Sequence, residues 1–362
     1  MTSLTCISAD SHVIEPGDLW LNYIDAEFAD RAPHLVHGED HDTFMCEEME
    51  LLPIGSVAAA GVPAEQITRH GRFDTHVPRG GWDPHARLAD MEQDGVQAEV
   101  LYPTMAMRMF AIKDPPFQLA CFQAYNNWVN DYCQEDPNKL KAVGLMPMDD
   151  IEVAIAELHR CRSLGLAGAS VAIYQDADRH YGEPGFDPFW AAAQDLDIPV
   201  SLHILTERNP KLKRNISDGI VESSWIQRSL GLMVFNGVFE RFPKLKIVSA
   251  ENDIGWVPYF LERIDYIFDR RRNFFSMDLS RKELPSVMVK RNTYFTFMRD
   301  RVGVINRHLI GLEHVLWSSD YPHNDSTWPR SQEMIDYLMQ GVPDDERRMI
   351  VAENAAAMYD FS

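Results

Sequence analysis

Asp10, His12, His203, Glu251 and Asp320 each stand at the end of a short apolar run, and each can bind a cation or move a proton. Asp10 and His12 end TCISADSH, His203 ends IPVSLH, Glu251 ends LKIVSAE and Asp320 ends HVLWSSD. Carboxylate oxygen and imidazole nitrogen are the donors a catalytic divalent ion takes. In Asp10-Ser11-His12 the alternation of a strand turns both outer side chains to one face, where two donors can meet one ion. Each residue also has a plainer reading. Asp10 can be an N-cap or turn residue, Asp320 and Glu251 can cap the turns that follow them, His12 can be a hydrogen-bonded loop histidine, and His203 a satisfied core histidine. Their joint placement at strand ends favours a site. His323, three residues past Asp320, either orients a ligand, contacts substrate or serves a structural role. The Met and Phe residues between 105 and 110 suit an aromatic pocket or ordinary core packing.

The elements that position these groups alternate along the chain. Strands are expected at 5–10, 98–104, 141–148, 167–173, 198–203, 245–251, 293–298 and 314–320. Helices are expected at 85–93, 117–135, 151–164, 186–196, 223–241, 256–275, 301–310 and 331–340, with a polar loop before the one at 223. Short, nearly continuous apolar strands interleaved with helices predict an α/β fold, a (β/α)8 TIM barrel, as a single domain over 1–362. In such a barrel the reactive groups sit at the C-terminal strand ends, which is where the candidates fall. One stretch, 13–84, breaks the alternation. It is rich in Pro, Gly, His and acidic residues, shows little periodicity, and follows the first strand, so it is expected to form a lid or rim over the catalytic face.

Bulk properties exclude several classes. The chain has 362 residues, 45% of them hydrophobic, and a formal charge of −21, which argues against nucleic acid as a partner. No apolar stretch is long enough to span a membrane, and residues 1–10 do not read as a signal peptide. The five cysteines form no Cys-x-x-Cys pair; Cys121 and Cys161 fall on apolar helix faces, and a reducing, cytoplasmic setting is expected. There is no Gly-rich phosphate loop and no Gly-x-Ser-x-Gly nucleophile elbow.

The segments ISADSHVIEP, IPVSLH, RFPKLKIVSAENDIGWVPYFLERID, WSSDYPH and ENAAAMY resemble, in that order, the amidohydrolase-2 branch of the amidohydrolase superfamily. That branch includes aminocarboxymuconate-semialdehyde decarboxylase and γ-resorcylate decarboxylase. The resemblance spans residues 5–359. It implies one divalent ion, Zn²⁺ or Mn²⁺, held by Asp10, His12, His203 and Asp320, a small-molecule carboxylic acid as substrate, and a homodimer. Two departures stand out: Asp10-x-His12 replaces a His-x-His or Glu-x-His pair, and Glu251 replaces a histidine after the sixth strand. No lysine ends the fourth strand to bridge a second metal. Glu251 is therefore a fifth candidate ligand or, with Asp320, a candidate acid, and an oxygen-rich donor set makes Mn²⁺ a competitor to Zn²⁺. The leading expectation is a non-oxidative decarboxylase (carboxy-lyase) of an aromatic or unsaturated carboxylic acid, with Asp320 or Glu251 supplying the proton. The alternative is a hydrolase of an amide, lactone or C–C bond that uses a metal-bound hydroxide. A non-catalytic, metal-stabilised binding protein is the third reading, but it would not need donors from four strand ends.

Overall fold

A computed structural model of the chain describes residues 6–209, 215–271, 273–274 and 283–361. Its central sheet has eight parallel strands: β1 (Ile7–His12), β2 (Ala98–Tyr102), β3 (Leu140–Leu145), β4 (Gly168–Ala172), β5 (Val200–His203), β6 (Ile247–Ala250), β7 (Thr293–Phe297) and β8 (Val315–Trp317). Each pairs with the next in chain order. Every residue of these strands is buried except Lys141 and Tyr294, which explains why they read as apolar runs without alternation.

The chain just past β8 closes the sheet on β1. Asp320 N–H donates to the Asp10 carbonyl at 3.0 Å, and His12 N–H donates to the Tyr321 carbonyl at 2.7 Å. Ser319 N–H adds a bond to Ser8 Oγ at 2.8 Å. The barrel predicted from the alternation is thus the fold observed. Its interior is filled by residues such as Ile7, Val100, Val143 and Leu316, and Ala352, Ala355, Tyr359 and Phe361 of the C-terminal segment pack against them. Lys141 Nζ fastens that segment by donating to the carbonyls of Tyr359 (2.7 Å) and Asp360 (2.6 Å).

The outer helices follow local rules. In Ile151–Leu164 the Asp150 carboxylate accepts from Glu152 and Val153 N–H, Gly165 ends the helix at φ 107, and Ala154, Leu158 and Cys161 form the buried stripe. Burying one side chain of leucine size contributes about 1.5–3 kcal/mol. Some expected boundaries shift. The helix expected at 223–241 is two, Ser224–Phe235 and Val238–Arg241, because Gly237 sits between them at φ 79. That at 301–310 is also two, Arg301–Ile305 and Arg307–Ile310. The helix expected at 256–275 is Val257–Arg271; Phe275 and Thr5 lie outside the described residues. The helices Asp344–Arg348 and Asn354–Tyr359, joined by a π-helical stretch, were not expected.

The segment 13–84 is not irregular throughout. It forms a three-stranded antiparallel sheet from His34–His37, Asp42–Cys46 and Met49–Glu50, with Phe44 and Cys46 turned into the core. Strands of 4, 5 and 2 residues are too short to register as a period. All five cysteines are free and buried. No helix among the described residues is long and apolar enough to cross a membrane.

Candidate active site

At the C-terminal mouth of the barrel six buried polar atoms point into one space without a hydrogen-bond partner. They are Asp10 Oδ1, His12 Nε2, His203 Nε2, Glu251 Oε2 and both carboxylate oxygens of Asp320. His12 Nε2 lies 3.5 Å from Asp10 Oδ1, 3.4 Å from Asp320 Oδ1 and 3.7 Å from Glu251 Oε2. His203 Nε2 lies 3.5 Å from Asp10 Oδ1 and 3.3 Å from Glu251 Oε2. One unsatisfied buried polar atom costs about 1–3 kcal/mol. Several converging on a single point, all nitrogen or carboxylate oxygen, fit a divalent cation and no neutral side chain.

Neighbouring groups hold these donors in place. His12 Nδ1 lies 2.7 Å from the Pro103 carbonyl and His203 Nδ1 2.9 Å from that of Ile204. A carbonyl only accepts, so each Nδ1 carries a hydrogen and Nε2 is the nitrogen turned to the centre. Thr296, in β7, accepts Glu251 N–H at 2.8 Å and donates to Asp10 Oδ2 at 3.1 Å, joining two of the carboxylate-bearing strand ends. Thr104 donates to the Val13 carbonyl at 2.6 Å, so it accepts from His323 Nε2–H at 2.9 Å. That leaves the His323 Nδ1 lone pair 3.0 Å from Asp320 Oδ1 but outside hydrogen-bond alignment, with the ring stacked on His12 at 3.9 Å. Glu251 (φ 53) and Asp320 (φ 56) both adopt left-handed backbone, a conformation that costs a non-glycine residue roughly 1–3 kcal/mol and gathers at functional sites.

The electrostatics show what the cluster lacks. Burial pushes the Glu251 carboxyl well above its usual range, and Asp320 adds to this; burial and then Asp10 do the same to Asp320. Burial would lower His203, but the Asp10 and Glu251 carboxylates raise it to about 9. Burial, His323 and His203 hold His12 well below its usual value, and burial with His203 takes His323 down to about 3. The two imidazoles facing the same carboxylates therefore diverge, and the crowding of buried acids raises the proton affinity of Glu251, Asp320 and His203 together.

All six predicted residues meet here. Asp10, His12 and His203 are at most 1% exposed. Glu251, Asp320 and His323 line a cavity of about 630 Å³. No hydrogen bond among the described residues joins the Glu251 side chain to the helix that follows; Asp300 accepts the N–H groups of Ile254 (2.9 Å) and Gly255 in the turn ahead of it. The Met and Phe residues between 105 and 110 are core, not wall. Of the segment 13–84, Leu52 and Val57 reach the cavity. Thr296 and Thr104 were not singled out from the sequence; the signal available was a hydroxyl interrupting an aromatic strand (TYFTF) and one just past β2 (YPT). Ile216 and Ile220, also in the wall, carried no sequence signal at all, and Trp256 was read only as part of a helix and of a family motif.

Comparison with known proteins places the chain among metal-dependent relatives of the same fold. The chain is 27% identical over 206 residues to 2-amino-3-carboxymuconate-6-semialdehyde decarboxylase of Dictyostelium discoideum, covering 56% of this chain and 56% of that protein. It thus spans little more than half the length of that relative. It is 28% identical over 282 residues to a gamma-resorcylate decarboxylase of Polaromonas sp., covering 68% of this chain and 82% of the relative. Its fold matches the crystal structure of 5-carboxyvanillate decarboxylase from Novosphingobium aromaticivorans, complexed with manganese, at a TM-score of 0.71 and 18% identity, over 99% of this chain and 96% of the other. The amidohydrolase family pattern matches residues 70–361, and the chain belongs to that family.

Proposed function

We propose that this protein is a non-oxidative decarboxylase of an aromatic or unsaturated carboxylic acid that works with one divalent cation, Mn²⁺ ahead of Zn²⁺. The observation that carries this is the set of orphaned donors on Asp10, His12, His203, Glu251 and Asp320, of which Glu251 and Asp320 line a cavity with both polar and apolar walls. Asp10, His12, His203 and Asp320 would hold the ion, with Glu251 as fifth ligand or acid. Three carboxylates beside two imidazoles make a hard donor set, which suits Mn²⁺, and the fold neighbour described above holds manganese. A bound cation supplies the positive charge that grips the substrate carboxylate and offsets the repulsion among the three acids.

The chain's own residues do the rest. As the bond from ring carbon to carboxylate breaks, its electron pair stays on carbon and carbon dioxide leaves. A proton takes the vacated position, and Glu251 or Asp320 is the candidate donor, since burial raises the proton affinity of both carboxyls. Leu52 and Val57 extend the wall outward from the segment 13–84, which supports reading it as a rim of the single-domain barrel. Five buried, free cysteines suit a reducing, cytoplasmic compartment, and the homodimer is testable by sedimentation. The deciding experiment incubates metal-free protein with a panel of aromatic acids, with and without Mn²⁺, and measures carbon dioxide and the protonated ring product. Hydrolytic products without carbon dioxide would overturn the decarboxylase reading.

A further inference from the structure

We propose that Ile216 and Ile220 determine substrate specificity: with Leu52, Val57 and Trp256 they hold an apolar ring substituent at the end of the substrate remote from its carboxylate. The inference rests on the decarboxylase reading only for which end of the substrate meets the donor cluster.

The cavity has polar and apolar walls. Glu251, Asp320 and His323 join it to the donor cluster, and Glu222, Asp253, Asp300 and Asp325 add further carboxylates. Ile216, Ile220, Leu52, Val57 and Trp256 give it an apolar surface. Ile216 and Ile220 stand four residues apart on the short helix Ile216–Ile220, so they share one face. They are 86% and 76% exposed although both line the cavity. Isoleucine is ordinarily among the most buried residues, so two of them bare at the mouth of a site call for an apolar occupant. They are not needed to build the helix. Its first turn is closed by polar groups, the Asn215 side chain accepting Ser217 N–H at 2.9 Å and the Asp218 carboxylate accepting Asn215 N–H at 2.9 Å.

Trp256 is held from the other direction, its indole N–H donating to the Asn252 carbonyl at 2.8 Å, so its ring presents a fixed surface. Asp253 and Asp325 also line the cavity, and a second carboxylate on the ligand would meet like charge there. The occupant that satisfies both features is a ring monocarboxylate with a methyl, methoxy or halogen substituent, and not a diacid. Because the same residues bound the cavity that reaches Glu251 and Asp320, the substrate is the occupant these side chains fit, rather than a second copy of the chain.

The test measures binding, which needs no turnover. Full-length Mn²⁺-supplemented protein is titrated with benzoate, 3-methylbenzoate, 4-methylbenzoate and isophthalate, following heat of binding. Wild type is expected to bind at least one methylbenzoate about tenfold more tightly than benzoate, and isophthalate more weakly than benzoate. In the I216S/I220S double variant the methyl preference should fall to within about twofold, with manganese content and melting temperature unchanged. An unchanged preference in that variant, tighter binding of isophthalate, no binding of any probe, or a change in sedimentation showing that the isoleucines join two copies would each overturn the proposal. Hydrolytic products without carbon dioxide from the acid panel, with the methyl preference intact, would sink the decarboxylase reading and leave this one standing.

Discussion

Glu251 is where the site departs most from a histidine-rich metal centre, and its surroundings explain what a carboxylate does there. Held in left-handed backbone by the bond from its N–H to Thr296, it faces His203 at 3.3 Å and shares a buried space with Asp320. Glu251→Gln keeps the shape and removes the titrating proton. Turnover is expected to fall roughly a hundredfold or more while bound manganese stays largely intact; near wild-type turnover would leave the residue a structural role only. Thr296 makes a second test, because it orients Asp10 and Glu251 without facing the centre. Thr296→Val should weaken manganese binding by about 10–100-fold and Thr296→Ser should restore it, as measured by competition with a chelator. His203→Ala should lose the ion and remain folded, with circular dichroism and elemental analysis as the two readouts.

At the scale of elements, β1 does more than present two ligands. Asp10 and His12 face the mouth, while Ser11 between them bonds Ser8 Oγ at 2.8 Å and Glu99 at 3.1 Å on the other side. Glu99, in β2, is paired with Arg87 of the helix Pro84–Asp94 at 2.5 Å, both fully or nearly buried. Arg87 also donates to the carbonyls of His12 at 2.7 Å and Gly80 at 3.3 Å. A buried ion pair adds little over an apolar pair, but removing one partner strands the other charge. Arg87→Met should therefore cost about 3–5 kcal/mol of stability, seen as a large drop in denaturation midpoint. Manganese affinity should fall with it, because the His12 backbone loses its anchor. A shift within a few tenths of a kcal/mol would mean that Glu99 finds another partner.

For the whole molecule, the cation and protons compete for the same cluster. Without the ion, burial and crowding raise the Glu251 and Asp320 carboxyls and take His203 to about 9, so protons are expected to compete with manganese for the cluster. Raising the pH removes those protons, so manganese affinity should increase from about pH 6 towards pH 9 and level off above the His203 value. Each ion bound should release protons, measurable by calorimetry in two buffers of different ionisation enthalpy. Affinity that is flat across that range would show that the cluster is already unprotonated. Because the ion binds only the folded barrel, excess manganese should raise the melting temperature, and more so at the higher pH.

How much of this was legible in the sequence differs by level. The order of strands and helices was, because parallel strands buried on both faces need apolar residues throughout and helices need a 3.6-residue stripe. The six candidate residues could be named as well, since a charge or an imidazole at a strand end interrupts an apolar run, and the structure brings their side chains together. Helix breaks and the small sheet at 34–50 were less legible: Gly237 acts through its φ of 79, and strands of 4, 5 and 2 residues leave no period to read. Only the tertiary structure could decide which hydroxyls support the cluster and which apolar residues wall the cavity. Thr296 matters because barrel closure brings its hydroxyl to both Asp10 and Glu251, 286 residues from the one and 45 from the other. Ile216, Ile220, Leu52 and Val57 share one cavity only because loops from different strands converge on the barrel mouth. Local pattern reports what a residue must do within its own element, and these roles are set by neighbours that the sequence holds far apart.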